Sequence, residues 1–292
     1  MSNVGNESPL VYIVSANYNN FDLTSGLINS LNGLTYPNYR ILIVDDYSTD
    51  GSGDKLYKTF PGVSLIKNEK NLNYCKSFNN GFREALKNGA EYVFIVNNDT
   101  SDFSPDYLEE ILKAFNENAS VGMVGTWCYD YDGGIRCDGT AKDRFGVPME
   151  TPTEGYIIKR EVFEKIGLFD ENLVIYYEDL DFIVRLRKAG YKTKTISSVS
   201  FAHLGGATVS KIPFKRNYYR VRNGIWFIRR YCKGKPFGWK IMQYAIAIEP
   251  HIQRLVKSFI HLELKNFVII GFAIVMGLGA GFITNWKPEV TI

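Results

Sequence analysis

The chain has 292 residues, 45% of them hydrophobic and 22% charged, enough for one large core or two modest ones and too apolar for a disordered polymer. A net charge of +3 leaves no footprint of a nucleic-acid groove, so no nucleic-acid partner is expected. Four cysteines (Cys75, Cys128, Cys137, Cys232) lie far apart without a Cys-x-x-Cys, which argues against a zinc knuckle or a disulfide framework and for small buried side chains.

The first ten residues, MSNVGNESPL, are polar and lack the basic-then-apolar order of a signal sequence, so a cytoplasmic protein is expected. Residues 10–16 (LVYIVSA) read as a buried strand that ends in Asn17-Tyr18-Asn19-Asn20. Asp22 to Leu31 has helical spacing through Leu23, Leu27, Ile28 and Leu31. The run Ile41-Leu42-Ile43-Val44 stops at Asp45-Asp46, and a short strand is expected at Val63–Lys67, then a helix from Tyr74 to Lys87. Tyr92–Val96 is again apolar and ends in Asn97-Asn98-Asp99. Unbroken apolar strands alternating with helices predict an α/β fold, with a mostly parallel sheet covered on both faces.

Beyond residue 130 this rhythm breaks. Residues 129–139 (YDYDGGIRCDG) read as a turn-rich excursion and Thr153–Ile158 as another strand. Asp179 to Ala189 reads as a helix stopped by Gly190, followed by a strand at Tyr191–Ile196. From Pro213 the composition shifts to Lys and Arg interleaved with Tyr, Trp and Phe, so a boundary is expected between a 1–212 unit and a helical 213–292 region.

In open α/β sheets ligands sit beyond the carboxyl ends of the strands, and three strand ends here carry Asn17, Asp45-Asp46 and Asn98-Asp99. Asp and Asn are also ordinary turn and cap residues, but three such ends in register point to a site. Carboxylates in VDDYSTDGS (44–52) can accept from a uracil or thymine imide or from ribose hydroxyls. Asp99 suits a hard divalent cation that shares its oxygen ligands with substrate phosphates. Glu178, Asp179 and Asp181 open a helix, where acids favour the macrodipole; three in four residues exceed capping and include a candidate base for an attacking hydroxyl. His203, in FAHLGGAT (201–208), is either structural or a ligand.

In order, VDDYSTDGS, KNEKNLNYCKSFNNGFREAL (67–86), FIVNNDT (94–100), the 154–194 segment containing YYEDLDF, and AHLGG (202–206) resemble family 2 inverting glycosyltransferases of GT-A fold, the rhamnosyltransferase-like and galactofuranosyltransferase-like members above all. The likeness spans about residues 9–231. It implies that a sugar moves from a nucleotide-diphosphate donor, UDP or dTDP, to a hydroxyl of a glycan or lipid-linked glycan. It implies donor-nucleotide contacts at Asn17, Asp45, Asp46, Asn71 and Asn98, with Asp45 at the base. It also implies a Mg²⁺ or Mn²⁺ ion at Asp99 and His203, catalysis at Asp179 and Glu178 with Asp179 as base, and a donor-sugar and acceptor loop at Gly155. Asn97 stands where the family's metal motif has its first acid, so metal affinity is expected to depend on the donor diphosphate.

Two alternatives stay open. A sugar nucleotidyltransferase should carry a Gly-rich basic loop after the first strand, where this chain has Asn-Tyr-Asn-Asn. A non-catalytic sugar-nucleotide or glycan-binding module would not need both Asp99 and Glu178-Asp179. NFVIIGFAIVMGLGAGFI (266–283) is apolar nearly all round, with Gly277 and Gly281 four apart, and reads as a buried helix, a membrane-surface helix or an oligomer contact. Peripheral attachment at the cytoplasmic face of a membrane is the expectation, with a homo-oligomer as the alternative.

Overall fold

The computed structural model describes residues 8–130, 135–137, 155–205, 213–284, 286–288 and 290. Strands β1 (Val11–Asn17), β2 (Tyr39–Asp45), β3 (Ser64–Lys67) and β4 (Tyr92–Val96) form a parallel half-sheet in the order β3-β2-β1-β4. Helices α1 (Phe21–Leu31), α2 (Ser52–Thr59) and α3 (Asn73–Lys87) make the crossovers. The continuous apolar runs are explained by burial on both faces: Val11, Ile13 and Phe94 join one cluster with Leu27, Ile28 and Phe115, while Tyr12, Val14 and Ile95 join another with Phe78 and Phe82. Gly81 lets α3 lie close on the sheet, since a Cβ there would sit 2.5 Å from Val14 Cγ1.

Beyond β4 the sheet is mixed. Among the described residues it continues through β8 (Gly155–Lys159), β6 (Val121–Tyr129), β9 (Lys192–His203) and β5 (Thr100–Ser101), with β7 (Ile135–Cys137) on β6. β8 is antiparallel to both β4 and β6, and β9 is parallel to β6. The parallel part expected of the sheet is thus the β3-β2-β1-β4 half. The strand expected at Tyr191–Ile196 runs on to His203, because β6 offers it a partner as far as Tyr129. The strand expected from Thr153 is seen from Gly155, with Thr153 and Glu154 outside the described residues; of the 129–139 excursion, only the end of β6 at Tyr129, Asp130 and the backbone of β7 are described. Helices α4 (Tyr107–Asn116), α5 (Arg160–Ile166) and α6 (Glu178–Lys188) complete the cover. Cys75, Cys128 and Cys232 are buried, as expected; the side chain of Cys137 lies outside the described residues.

Helices α7 (Pro213–Tyr231), α8 (Phe237–Ile260) and α9 (Leu264–Ile283) follow the sheet. Gly277 and Gly281, two of the four glycines of α9, meet α7 of the same chain. A Cβ at Gly277 would lie 2.9 Å from the Tyr218 carbonyl oxygen, and one at Gly281 would lie 2.8 Å from Ile225 Cβ. Ile270, Ala273 and Ile274 are buried on that side, whereas Val268, Phe272, Val275 and Ile283 on the other are exposed. The 266–283 segment is therefore half-covered: one face is core, the other an uncovered apolar stripe.

Candidate functional site

The parallel register brings the predicted strand ends to one rim. Asn17 of β1 lies opposite Asp45 of β2, and Val96, the last residue of β4, lies opposite Gly155 of β8. Asn17 is fully buried, and its Nδ2 donates to Asp45 Oδ1 at 2.7 Å and to Ser52 Oγ at 2.9 Å. Its Oδ1 accepts from Thr24 Oγ1 at 2.8 Å, and Asn98 Nδ2 in turn donates to Thr24 Oγ1 at 3.0 Å. Asp45 also accepts from Ser48 through N–H and hydroxyl, at 3.2 and 2.6 Å. Gly53 keeps space beneath that carboxylate, since a Cβ there would stand 2.6 Å from Asp45 Oδ2.

Asp46 is turned to a different task. It accepts from Asn68 Nδ2 at 3.0 Å and from the Leu72 and Asn73 amides at 2.7 and 2.9 Å, closing the loop between β3 and α3. Asn71 Nδ2 reaches the Asp46 carbonyl at 3.4 Å. These contacts bind the loop to the β2 rim with a buried, charge-accepting anchor.

Across the rim, Asp99 and His203 are brought together although 104 residues apart: β5 pairs Thr100 with His203, and Nε2 lies 2.9 Å from Asp99 Oδ1. Both side chains are buried. This pair supplies an oxygen and a nitrogen ligand, and no group of three or more His, Cys, Asp or Glu side chains converges among the described residues. Such a donor set fits an ion that completes its shell with substrate phosphates and water, and does not fit one held by protein alone.

The third component is the start of α6. Glu178 is buried, and among the described residues its Oε2 has no hydrogen-bond partner. Burial, reinforced by the adjacent Asp179 carboxylate, pushes its pKa up to about 8, and the Arg220 guanidinium opposes the rise. Asp179 itself is half-buried. Tyr74 reaches the β4 end of the rim: its hydroxyl donates to Asn97 Oδ1 at 3.1 Å. Its phenol is held well above the usual range by burial and then by Glu178, Asp179 and, more weakly, Asp99. Tyr156 of β8 behaves similarly, through burial, Tyr74 and the same two acids. Gly155 admits no side chain, since a Cβ would stand 2.7 Å from the Phe201 ring.

The segment leading into α6 is strained. Val174, Tyr176 and Tyr177 have φ of 67°, 70° and 70°, and a β-branched residue at such an angle is an outlier. Residues of α7 hold it: Asn223 Nδ2 faces the carbonyls of Leu173, Ile175 and Tyr176 at 2.8, 3.0 and 2.8 Å, and Arg222 Nη2 donates to the Asn172 carbonyl at 2.7 Å. Sequence reasoning missed Tyr74, Tyr156 and Asn223. An Asn and an Arg inside an apolar helical stretch were the available signal for the last.

Residues 12–189 match Glycosyl transferase family 2, and the chain belongs to that family; it is a glycosyltransferase. It is 26% identical over 215 residues to the dTDP-rhamnosyl transferase RfbF of Shigella flexneri, covering 66% of this chain and 72% of that one. It is 24% identical over 201 residues to the N-acetylglucosaminyl-diphospho-decaprenol L-rhamnosyltransferase of Mycobacterium tuberculosis, covering 56% of this chain and 66% of that one. A match to protein y4gI of Sinorhizobium fredii, 24% identical, covers 83% of this chain and only 30% of that longer relative. Among solved structures, a mannosyltransferase of Pyrobaculum calidifontis in complex with GDP-Man and Mn²⁺ shares the fold with a TM-score of 0.61 at 17% identity, covering 95% of this chain and 88% of that one. Staphylococcus aureus TarS 1–349 in complex with UDP-GlcNAc gives 0.59 at 14% identity, covering 92% and 81%. These neighbours carry the GT-A fold, so the expected fold class holds. Family membership also displaces the nucleotidyltransferase and the non-catalytic module as readings.

Proposed function

We propose that this glycosyltransferase inverts the anomeric centre of a nucleotide-diphosphate sugar, UDP- or dTDP-linked, in passing the sugar to a hydroxyl of a glycan or lipid-linked glycan. The observation that carries the reading is the buried Asp99–His203 pair, 2.9 Å apart, just past the end of β4, where Tyr74 of α3 reaches Asn97 and beside the rim where Asn17 and Asp45 end their strands. Relatives named as rhamnosyltransferases support a deoxyhexose donor and, for one of them, a diphospholipid acceptor.

In this reading Asp45, Asn71 and Asn98 line the nucleotide side, fully buried Asn17 acts by holding Asp45 and Thr24, and Asp46 acts by fixing the loop that ends at Tyr74. Asp179 accepts the acceptor's hydroxyl proton as that oxygen attacks the anomeric carbon from the face opposite the diphosphate. The sugar–phosphate bond breaks in the same displacement, and the configuration inverts. Burial pushes the Glu178 carboxyl up to about 8, so it holds its proton near neutral pH and Asp179 is left as the base. Asp99 and His203 would hold a Mg²⁺ or Mn²⁺ ion, whose chemistry is to neutralise charge on the departing diphosphate. Gly155 makes room for the Phe201 ring beneath the β8 end, beside which the sugar and acceptor loop begins. Residues 1–212 form the catalytic unit, and the helical 213–292 region attaches it to the cytoplasmic surface of a membrane through the exposed stripe of α9.

The test is a donor screen with UDP-, dTDP- and GDP-sugars, with Mg²⁺, Mn²⁺ or chelator, run beside Asp179→Asn. Turnover or hydrolysis of one donor is expected, falling roughly 10²–10⁴-fold in the variant while donor binding persists. Wild-type turnover in Asp179→Asn would remove the base from its role, and absence of binding to every donor would remove the donor class.

A further inference from the structure

The first turns of α7 face two ways. Towards the catalytic loop they present cations. Lys215 Nζ lies 3.4 Å from Asn73 Oδ1, and the Arg220 guanidinium sits 4.3 Å from the centre of the Tyr176 ring, two residues before Glu178. Arg216 acts on the same tyrosine, and its Nε is buried with no hydrogen-bond partner among the described residues. An unsatisfied guanidinium N–H beside two further cations is costly unless an anion completes it.

Away from the loop the same turns line an apolar groove. Pro213, Phe214 and Lys215 form one wall and Val268, Ile269 and Phe272 of α9 the other, enclosing about 340 Å³. Phe214 lies against Phe272, with ring centres 6.0 Å apart. The groove opens on the exposed stripe of α9, where Val268 and Phe272 remain 66% and 59% accessible. Lys215 stands at the junction, lining the groove and reaching the catalytic loop.

The groove is lined by apolar side chains and the stem of Lys215, whose ammonium turns to the loop side where Arg220 also lies, and the two sides together match one ligand chemistry: a single apolar chain ending in phosphate. We propose that the end of α7 is an acceptor subsite, in which the groove takes the proximal part of a lipid tail while Lys215, Arg216 and Arg220 take the phosphate groups linking that tail to the acceptor sugar. The inference rests on reading the acceptor as lipid-linked. It adds that the lipid-phosphate end is recognised directly, which orients the sugar hydroxyl towards Asp179. Charge-assisted hydrogen bonds would hold the phosphates, and burial of the chain would cover side chains now facing water.

Farnesyl diphosphate is a soluble probe for the full-length protein, titrated beside farnesol, inorganic diphosphate and dihexanoyl phosphatidylglycerol, with saturating UDP or dTDP present to occupy the donor site. Farnesyl diphosphate should bind at least about tenfold more tightly than each of the others. Lys215→Glu and Phe272→Asp should each weaken it about tenfold or more. Val268→Asp, at a more exposed wall position, gives the same reading if Phe272→Asp fails to fold. Equal affinity for phosphatidylglycerol, displacement by the nucleotide, or indifference to all three substitutions would overturn the proposal. Nucleotide-sugar binding on the same proteins reports on the donor site separately. A chain that binds a donor but not farnesyl diphosphate loses this subsite and keeps its transferase reading, whereas one that binds neither loses both.

Discussion

The side-chain amide of Asn223, fully buried on α7, donates at 2.8 Å to the carbonyl of Tyr176, 47 residues earlier and two before Glu178. The same two amide hydrogens are shared with the carbonyls of Leu173 and Ile175. All three acceptors belong to a segment whose φ angles are unfavourable for Val174, Tyr176 and Tyr177. Strain of this kind persists only when surrounding contacts over-determine it. α7 thus holds the segment that leads into Glu178 and Asp179, although it lies outside the 12–189 family match.

Asn223→Leu removes those donors while nearly keeping volume. Each orphaned buried carbonyl costs about 1–3 kcal/mol, so global stability should fall by at least that amount. The discriminating readout is local. Hydrogen exchange of residues 174–181 should accelerate beyond the global change, and kcat should drop more than KM rises. A uniform loss of protection with unchanged kcat would make Asn223 an ordinary core residue.

Glu178 gives a pH signature. Its pKa is raised from 4.5 to about 8 by burial, with Asp179 adding to the rise and Arg220 opposing it; Tyr74, Tyr156 and Cys75 are the other titratable groups around it. The folded state therefore keeps a proton that the unfolded state releases above pH 4.5. Stability from this group is complete below pH 4.5 and is lost as pH rises to about 8, by an amount on the order of a few kcal/mol. Denaturant titrations at pH 5 and pH 8.5 should show this decline in the wild type. Glu178→Gln, neutral throughout, should flatten that part of the profile and be relatively more stable at the upper pH. An unchanged slope in the variant would assign the dependence to other groups.

Asp99 and His203 should act as a pair towards a divalent ion. Mn²⁺ binding followed by electron paramagnetic resonance, with UDP or dTDP present, is expected to weaken about 10–100-fold in His203→Ala and to vanish in Asp99→Ala. Without nucleotide the wild type should bind Mn²⁺ weakly, because the phosphates complete the shell. Chelator should abolish turnover and leave the far-UV circular dichroism unchanged. Strong nucleotide-independent binding would mean that ligands beyond these two hold the ion.

How much of this was legible depended on sequence distance. The strand ends at Asn17, Asp45 and Asp99 were readable because an apolar run that stops at an acid or amide is a local signal, and a parallel sheet puts such ends on one rim. Glu178-Asp179 was readable for the same reason, as an excess of acids at a helix start. The antiparallel β8, the long β9 and the hold of Asn223 on Tyr176 depend on partners tens of residues away, and nothing local specifies which carbonyl a buried Asn will meet. Asp46 shows the limit within a motif: its neighbour Asp45 stays on the rim, while its own carboxylate is taken up by Asn68, Leu72 and Asn73. The glycine spacing in α9 signalled close helix contact, but only the structure identifies α7 as the helix it meets.

That contact makes the final prediction. A Cβ at Gly281 would lie 2.8 Å from Ile225 Cβ and 2.9 Å from its Cδ1, so any side chain pushes α9 off α7. Gly277 is bounded by the backbone oxygen of Tyr218 at 2.9 Å, which yields less readily than a side chain. Gly→Ala in an open helix position gains stability through propensity, and Gly279, with nothing within 4 Å of its Cβ position, supplies that control. Gly279→Ala should therefore raise the melting temperature slightly, while Gly277→Val and Gly281→Val should each cost about 1–3 kcal/mol through overpacking. The substitutions should also increase proteolysis between α8 and α9 before the catalytic unit is lost, since the face that α9 gives to α7 is the one it no longer buries. If Gly281→Val were as stable as Gly279→Ala, the seam would be looser than its geometry requires, and α9 would be free to leave α7 for another surface.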